Sequence, residues 1–210
     1  VNLTLDDMKK IVATGYGRYS FERADKQISE ISCHAKGIYH LVPTARTIID
    51  IGGQDAKAIR LDDNGMVSQF FMNDKCAAGT GRFLDVMARV LEINITDMAD
   101  YDSRATEVVN VSSTCTVFAE SEVISHLSNN IPKENIIAGI HASVASKACG
   151  LAYRAGLADD IVMSGGVAQN AGVVRAISRE LRRPVIVAPN PQIAGALGAA
   201  LFAYDEAKKR

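Results

Sequence analysis

Two cysteines stand in contexts suited to redox chemistry: Cys76 in NDKCAAGTGRFLDV and Cys115 in VSSTCTVFAESEV. After Cys76, small residues lead into Phe83, Leu84, Val86, Met87, Val90 and Leu91, apolar positions at three- and four-residue steps that predict an amphipathic helix. After Cys115 the run Val117, Phe118, Val123, Ile124, Leu127 repeats the pattern. Both thiols are therefore expected near helix N-termini, where free backbone N–H groups and the positive end of the dipole favour a thiolate and any anionic cluster bound to it. A lone free cysteine is usually a small buried hydrophobe. Two in the same context make reactivity or ligation an equal alternative.

Two glycine turns suggest a second chemistry. In DIGGQD a strand delivers Asp50 to its carboxyl end, where a metal or an attacking water could be held, and Gly52-Gly53 lets backbone N–H groups approach phosphate oxygens. In SGGVAQN, Gly165-Gly166 closes a strand and opens a helix, the usual place for close backbone approach to a nucleoside or phosphate. Either turn alone is ordinary turn chemistry. The pair fits a nucleotide cleft between two lobes.

Other constellations carry less. Glu120, Glu122 and His126 share a helix, but a solvated pair four residues apart is favoured over a metal site without a third ligand in register. Cys33 and His34, adjacent on a helix, point to different faces and do not make a nucleophile pair. His40 and His141 receive no role.

The elements that must position these residues read as α/β. A helical start over 3–10 runs into a strand at 10–14, the turn Gly15-Tyr16-Gly17-Arg18 and a polar helix at 24–38. Strands follow at 47–51, 55–61 and 66–72, the last two joined by the hairpin turn Asp62-Asp63-Asn64-Gly65. The antiparallel opening predicts a mixed sheet. Beyond the cysteine-led helices and a strand near 107–111 come a long helix at 133–155, a strand at 160–163, a helix at 168–182, a strand at 184–187 and a last helix at 193–208.

A chain of 210 residues, 48% hydrophobic and 22% charged, can bury a sizeable core as one large domain or two small ones. Its 23 basic and 24 acidic residues nearly cancel, without a basic stripe or a run of like charge, which argues against nucleic acid as a partner. The longest apolar stretch, 193–204, is read as a tightly packed Ala/Gly helix, too short to span a bilayer. No membrane association is expected. Four scattered cysteines and no signal-peptide pattern favour a cytoplasmic setting with metal or redox chemistry over a disulfide framework.

The segments VATGYGR, ADKQISEISCHA, TIIDIGGQDAKAIRL, FMNDKCAAGTGRFLDVMARVLE, SSTCTVFAESEVISHLS, IIAGIHASVA, SGGVAQN and GALGAALFAYDEA closely resemble the ATP-dependent activators of 2-hydroxyacyl-CoA dehydratases. These belong to a wider family that includes the ATPase subunits of benzoyl-CoA reductase. The resemblance implies an actin/Hsp70/sugar-kinase-like ATPase fold of two ribonuclease-H-like lobes. It places the remainder of the first lobe at 1–46, with 187–210 returning to it, and the second lobe, carrying the cluster cysteines, at 47–186.

The resemblance also implies a homodimer sharing one four-iron, four-sulfur cluster, with Cys76 and Cys115 as ligands from each chain. Asp50, Gly52, Gly53 and Gln54 match the family's second phosphate motif, with Asp50 and Gln54 as the catalytic pair. Gly165, Gly166 and Asn170 match its adenosine motif, and Gly79 and Gly81 are expected to line the same cleft. Cys33 and Cys149 match no cluster motif and are read as packed core thiols.

The expected function is an ATP-driven, one-electron donor with ATP/ADP, Mg2+ and the cluster as cofactors. Its expected partners are a 2-hydroxyacyl-CoA dehydratase and a ferredoxin or flavodoxin. The alternatives are a benzoyl-CoA reductase subunit, a kinase of the same fold and a thiol redox sensor. The family's opening GxDxGS-type phosphate turn has no counterpart here and the first residue is Val1, so the chain is expected to be a fragment with an incomplete first lobe and weakened ATP hydrolysis of its own.

Overall fold

The computed structural model of the protein describes residues 4–209. At its centre is a five-stranded sheet of β3 (Thr47–Ile51), β4 (Ala56–Leu61), β5 (Val67–Asn73), β6 (Ile161–Ser164) and β7 (Val185–Val187), in the order β5-β4-β3-β6-β7. Strands β3, β4 and β5 pair antiparallel, whereas β6 lies parallel to both β3 and β7, so the sheet is mixed as the sequence predicts. All five residues of β3 are buried, which suits its isoleucines, and its two polar side chains, Thr47 and Asp50, are both hydrogen-bonded. The tight β4–β5 turn is fixed by Asp62, whose Oδ1 accepts from the backbone N–H groups of Asn64 and Met66.

Alternation along β3 divides the core in two. Ile49 and Ile51 face a cluster built from α2 (Gly81–Val90), α3 (Met98–Ser103), α4 (Thr116–Ser128), α5 (Lys133–Ala155) and α6 (Ala171–Leu181). Ile48 faces a second cluster with α1 (Glu30–Leu41) and α7 (Ala194–Lys208). Helices α1 and α7 thus cover the opposite face of the same sheet. The small parallel pair β1 (Val12–Ala13) and β2 (Lys26–Gln27) packs beside α7.

Helix α5 is long and apolar enough to cross a membrane by length and composition, yet 67% of that stretch is buried in the protein core. Most of its residues are core, while Ser146, Gly150, Tyr153 and Arg154 form its exposed stripe.

Several sequence-based boundaries shift. The start over 3–10 is one short turn at Leu5–Asp7, with residue 3 outside the described residues. The helix expected at 24–38 begins only at Glu30, because Ser29 caps it while residues 25–28 pair with the β1 strand. The helix expected at 168–182 is a short turn over Gly166–Gln169 followed by α6, which Asn170 caps.

Residues 107–111 form no strand. They run along α5 rather than a sheet edge, Val109 N–H donating to the Asn135 carbonyl, and a Cβ on Gly139 of α5 would overlap the Val109 carbonyl oxygen.

The α1–α7 crossing is equally close: a Cβ on Gly198 would overlap the Cys33 carbonyl, and one on Gly37 the Ala194 carbonyl. Gly198→Ala is expected to destabilise by about 1–3 kcal/mol or more, as overpacked cores do. Gly150→Ala, whose Cβ would meet nothing within 4 Å, should be neutral or slightly stabilising. Denaturant unfolding of the two variants checks the contrast; equal midpoints would refute it.

Candidate functional site

The β3–β4 turn, the start of α2 and the β6–α6 turn converge on one cleft of about 640 Å³. Gly52, Gly53, Gln54, Gly81, Gly166 and Asn170 all line it, joined by Arg82, Asp85, Ile95, Thr96 and Gln169. No site motif read from the sequence assigns a role to this second group. Gln169 adjoins a recognised motif, and Arg82 and Asp85 sit three apart on the first turn of α2, a signal that was legible. Ile95 and Thr96 arrive from a loop that no local pattern ties to the site.

Gly165 acts one layer back from the cleft. With φ +85 it turns the chain so tightly that a Cβ would overlap the Ile51 carbonyl, seating the β6–α6 turn directly on the end of β3. Gly79, expected in the cleft, is not in its lining; it packs against the Lys147 side chain.

Asp50 also lies behind the cleft wall, because β3 alternation turns it toward α1. It is 2% exposed. Its Oδ1 accepts from Ser164 Oγ at 2.8 Å with His34 Nδ1 at 3.3 Å, and its Oδ2 accepts from Lys57 Nζ at 3.2 Å. With a donor or cation on each oxygen, this carboxylate does not fit a direct ligand of the magnesium that accompanies ATP. Lys57, 3% exposed, also meets Asp55 at 2.7 Å and Glu30 at 3.4 Å. Burial alone would push the Lys57 ammonium down, but Asp50, then Asp55 and Glu30, hold it above its ordinary range.

The segment bearing Cys76 is wired to the β3–β4 turn. Gly81 and Arg82 N–H groups donate to the carbonyls of Gly52 and Gly53, both at 2.8 Å. Helix α2 begins at the Thr80 cap, four residues past Cys76, and its first donors are spent on the turn rather than offered to a thiolate. Cys76 is instead held by Asn73, which accepts from its N–H and donates to its carbonyl.

Cys115 is the N-cap of α4, in keeping with its sequence context. The N–H groups of Thr116, Val117 and Phe118 have no protein acceptor among the described residues, and Thr116 Oγ1 is buried without a partner. Free donors and an orphaned hydroxyl beside a half-buried free thiol fit an anionic group bound there.

Glu122 and His126 are neither a metal site nor a pair. Glu122 accepts from the Ser112 N–H at 2.6 Å, and His126 Nε2 lies 3.0 Å from the Asn110 carbonyl, so both pin the segment leading to Cys115. Cys33 and Cys149 are fully buried, and burial raises both thiols, Cys149 to about 12. Thiolates are disfavoured at both, as suits core packing.

Sequence reasoning left His141 without a role, but it is buried between Asp102 and Asn170. Its Nδ1 is 3.1 Å from Asp102 Oδ1 and its Nε2 3.2 Å from Asn170 Nδ2. Asp102 lies far away in sequence, and no periodicity signals the pairing.

Comparison with known proteins places this geometry. The profile of the BadF/BadG/BcrA/BcrD ATPase family matches residues 1–203. The chain is 71% identical over 208 residues to the activator of lactoyl-CoA dehydratase of Anaerotignum propionicum, covering 99% of this chain and 80% of that protein. It superposes on the activator of the 2-hydroxyisocaproyl-CoA dehydratase from Clostridium difficile with bound ADPNP, with TM-score 0.94 and 57% identity over 99% of this chain and 77% of that one. The Acidaminococcus fermentans (R)-2-hydroxyglutaryl-CoA dehydratase component A gives TM-score 0.95 and 56% identity over 99% and 80%.

Proposed function

This chain belongs to the BadF/BadG/BcrA/BcrD ATPase family and has its actin-like ATPase fold, and on that premise we propose that it is the ATP-driven, one-electron activator of a 2-hydroxyacyl-CoA dehydratase. One observation carries the reading: the carbonyls of Gly52 and Gly53, in the turn facing the cleft, are hydrogen-bonded to the start of α2, which lies five residues from Cys76 and packs against the Cys115-capped α4. A displacement of that turn by nucleotide would reach Cys115 through the packed α2 and α4 helices and Cys76 through the short segment that leads into α2.

The cleft offers each part of a nucleotide a partner. Gly52, Gly53 and Gly81 present backbone without Cβ atoms to the phosphates, and Gly166 and Asn170 border the nucleoside end. Gln54 carries the carboxamide at the phosphate turn and is proposed to orient the attacking water. Asp50 acts from beneath, holding Lys57 and Ser164 where the β3 and β6 turns meet.

Cys76 and Cys115 are proposed to hold, with the same two residues of a second copy, a four-iron, four-sulfur cluster. When bound, that cluster supplies a one-electron redox centre. One chain offers two thiolates, so a symmetric dimer supplies the four. Beside Cys115, helix α4 exposes Val117, Phe118 and Ile124, an apolar face suited to that second copy. Ferredoxin or flavodoxin as donor, magnesium as the companion of ATP, and a cytoplasmic setting complete the proposal; four free cysteines suit a reducing compartment.

The test mixes anaerobic protein, reductant, Mg-ATP and a 2-hydroxyacyl-CoA dehydratase. Dehydration is expected with ATP and not with ADP. Gln54→Ala should lower kcat for phosphate release by about a hundredfold or more, the worth of a positioned proton-transfer or water-orienting group, while ADP binding persists. Activation equally strong with ADP would defeat the proposal.

A further inference from the structure

His141 is buried in the middle of α5 with no exposure, and its environment specifies its chemistry. Asn170 Oδ1 accepts from the backbone N–H groups of Gly172 and Val173 at 2.9 and 3.2 Å, which identifies the oxygen of that carboxamide independently of the histidine. The atom facing His141 Nε2 at 3.2 Å is therefore the amide nitrogen, which only donates. Nε2 must accept, so the ring proton resides on Nδ1, which meets Asp102 Oδ1 at 3.1 Å as a close electrostatic contact out of line for a hydrogen bond. Asp102 Oδ2 in turn accepts from Arg175 at 2.6 Å, and Arg175 also donates to the Ala99 carbonyl. Burial would raise the Asp102 carboxyl, but His141 and Arg175 hold it below the usual range.

The chain of contacts joins both walls of the cleft from behind. Asn170 lines one wall and caps α6. Ile95 and Thr96 line the other and lead straight into α3, the helix that carries Asp102. The first turn of α6 is shaped around the imidazole: a Cβ on Gly172 would overlap its Cε1 and Nδ1 atoms. Among the described residues no other charged group faces the ring; Arg175 reaches it only through Asp102.

We infer that His141 is a positioning residue for nucleotide binding: oriented by Asp102, it fixes the Asn170 carboxamide so that one amide N–H and the capped α6 terminus stay set at the nucleoside end of the cleft. This rests on the nucleotide reading given above. The amide has two N–H donors and His141 engages one, leaving the other for a ligand acceptor. Residues at the phosphate end, Gln54 among them, are untouched by the relay, so affinity should depend on His141 and turnover should not.

Two polar replacements separate positioning from simple support. In His141→Asn the side-chain amide takes the place of Nδ1 and keeps Asp102 company but is too short to reach Asn170. In His141→Gln the side-chain oxygen takes the place of Nε2 and can accept from Asn170. Calorimetry with ADP on the full chain is expected to give at least about a tenfold rise in Kd for H141N and a change within about threefold for H141Q. Saturating kcat of both should stay within about twofold of the parent. N170A should weaken ADP binding as much as H141N does, and adding H141N to N170A should weaken it no further. An H141N protein that binds ADP like the parent, an H141Q protein as impaired as H141N, or additive effects in the double variant would overturn the inference. If N170A itself binds ADP unchanged, the assignment of the cleft to nucleotide fails instead.

Discussion

Anaerobically purified Cys115→Ser protein is expected to contain no iron, to lack the visible absorption of an iron–sulfur cluster and to lose all capacity to activate a dehydratase; Cys76→Ser is expected to behave the same way. In the proposed arrangement the effect is all-or-none, because four thiolates would close the ligand set and each substitution would remove two of them from a symmetric pair. Cys115 offers the more prepared site, because three N–H groups and the Thr116 hydroxyl beside it find no partner among the described residues. Loss of the shared ligand set should also weaken the dimer, leaving Val117, Phe118 and Ile124 exposed at 64%, 62% and 50%. Cys33→Ala and Cys149→Ala should retain iron, since both thiols are buried in the core away from the α4 terminus. Iron determination and sedimentation under argon decide the matter. A monomer with a full cluster, or iron loss in Cys149→Ala as complete as in Cys76→Ser, would refute the ligand assignment.

Lys57→Met is expected to destabilise the fold by about 3–5 kcal/mol, the usual result of removing one partner from a buried ionic group. Asp50, Asp55 and Glu30 would share a buried space with no cation of their own, at the point where the phosphate turn meets α1. Because pairing lifts the Lys57 pKa above its unfolded value of about 10.5, the stabilisation is complete below that pH and is lost as pH rises through the higher folded value. Alkaline unfolding of the parent should therefore begin above about pH 10.5, and the Lys57→Met variant should lack that component. Denaturant melts across pH 7 to 11 measure both. A variant as stable as the parent at neutral pH would mean that the three carboxylates are better solvated than their burial indicates.

The local patterns carried much of the architecture. Short segments rich in apolar and β-branched residues located β3, β4 and β6, the four-residue turn before Met66 located the hairpin, and apolar positions at helical spacing located α2, α4 and α5, the last with both ends correct. The antiparallel start implied a mixed sheet, and the motif glycines marked the cleft, because turn geometry and close backbone approach depend on residues adjacent in sequence. The resemblance of the cysteine segments to dehydratase activators was legible for the same reason. Where competing local signals existed, the stronger won: Ser29 stopped the early start of α1, and Asn170 divided the expected helix at 168–182.

What only the tertiary structure decided concerns partners distant in the chain. The face of β3 on which Asp50 lies follows from which helices cover each side of the sheet, and that put Asp50 behind the cleft among Lys57, Ser164 and His34 rather than in its wall. Residues 107–111 had the composition of a strand but found α5 instead of an edge, because Gly139 lets their backbone lie against the helix. His141 had no signature at all, since its meaning lies in Asp102 and Asn170, 39 and 29 residues away along the chain. A sequence pattern records the periodicity of one element against an unspecified core. Which side chains then meet across that core depends on helix crossings and sheet order, which no single segment contains.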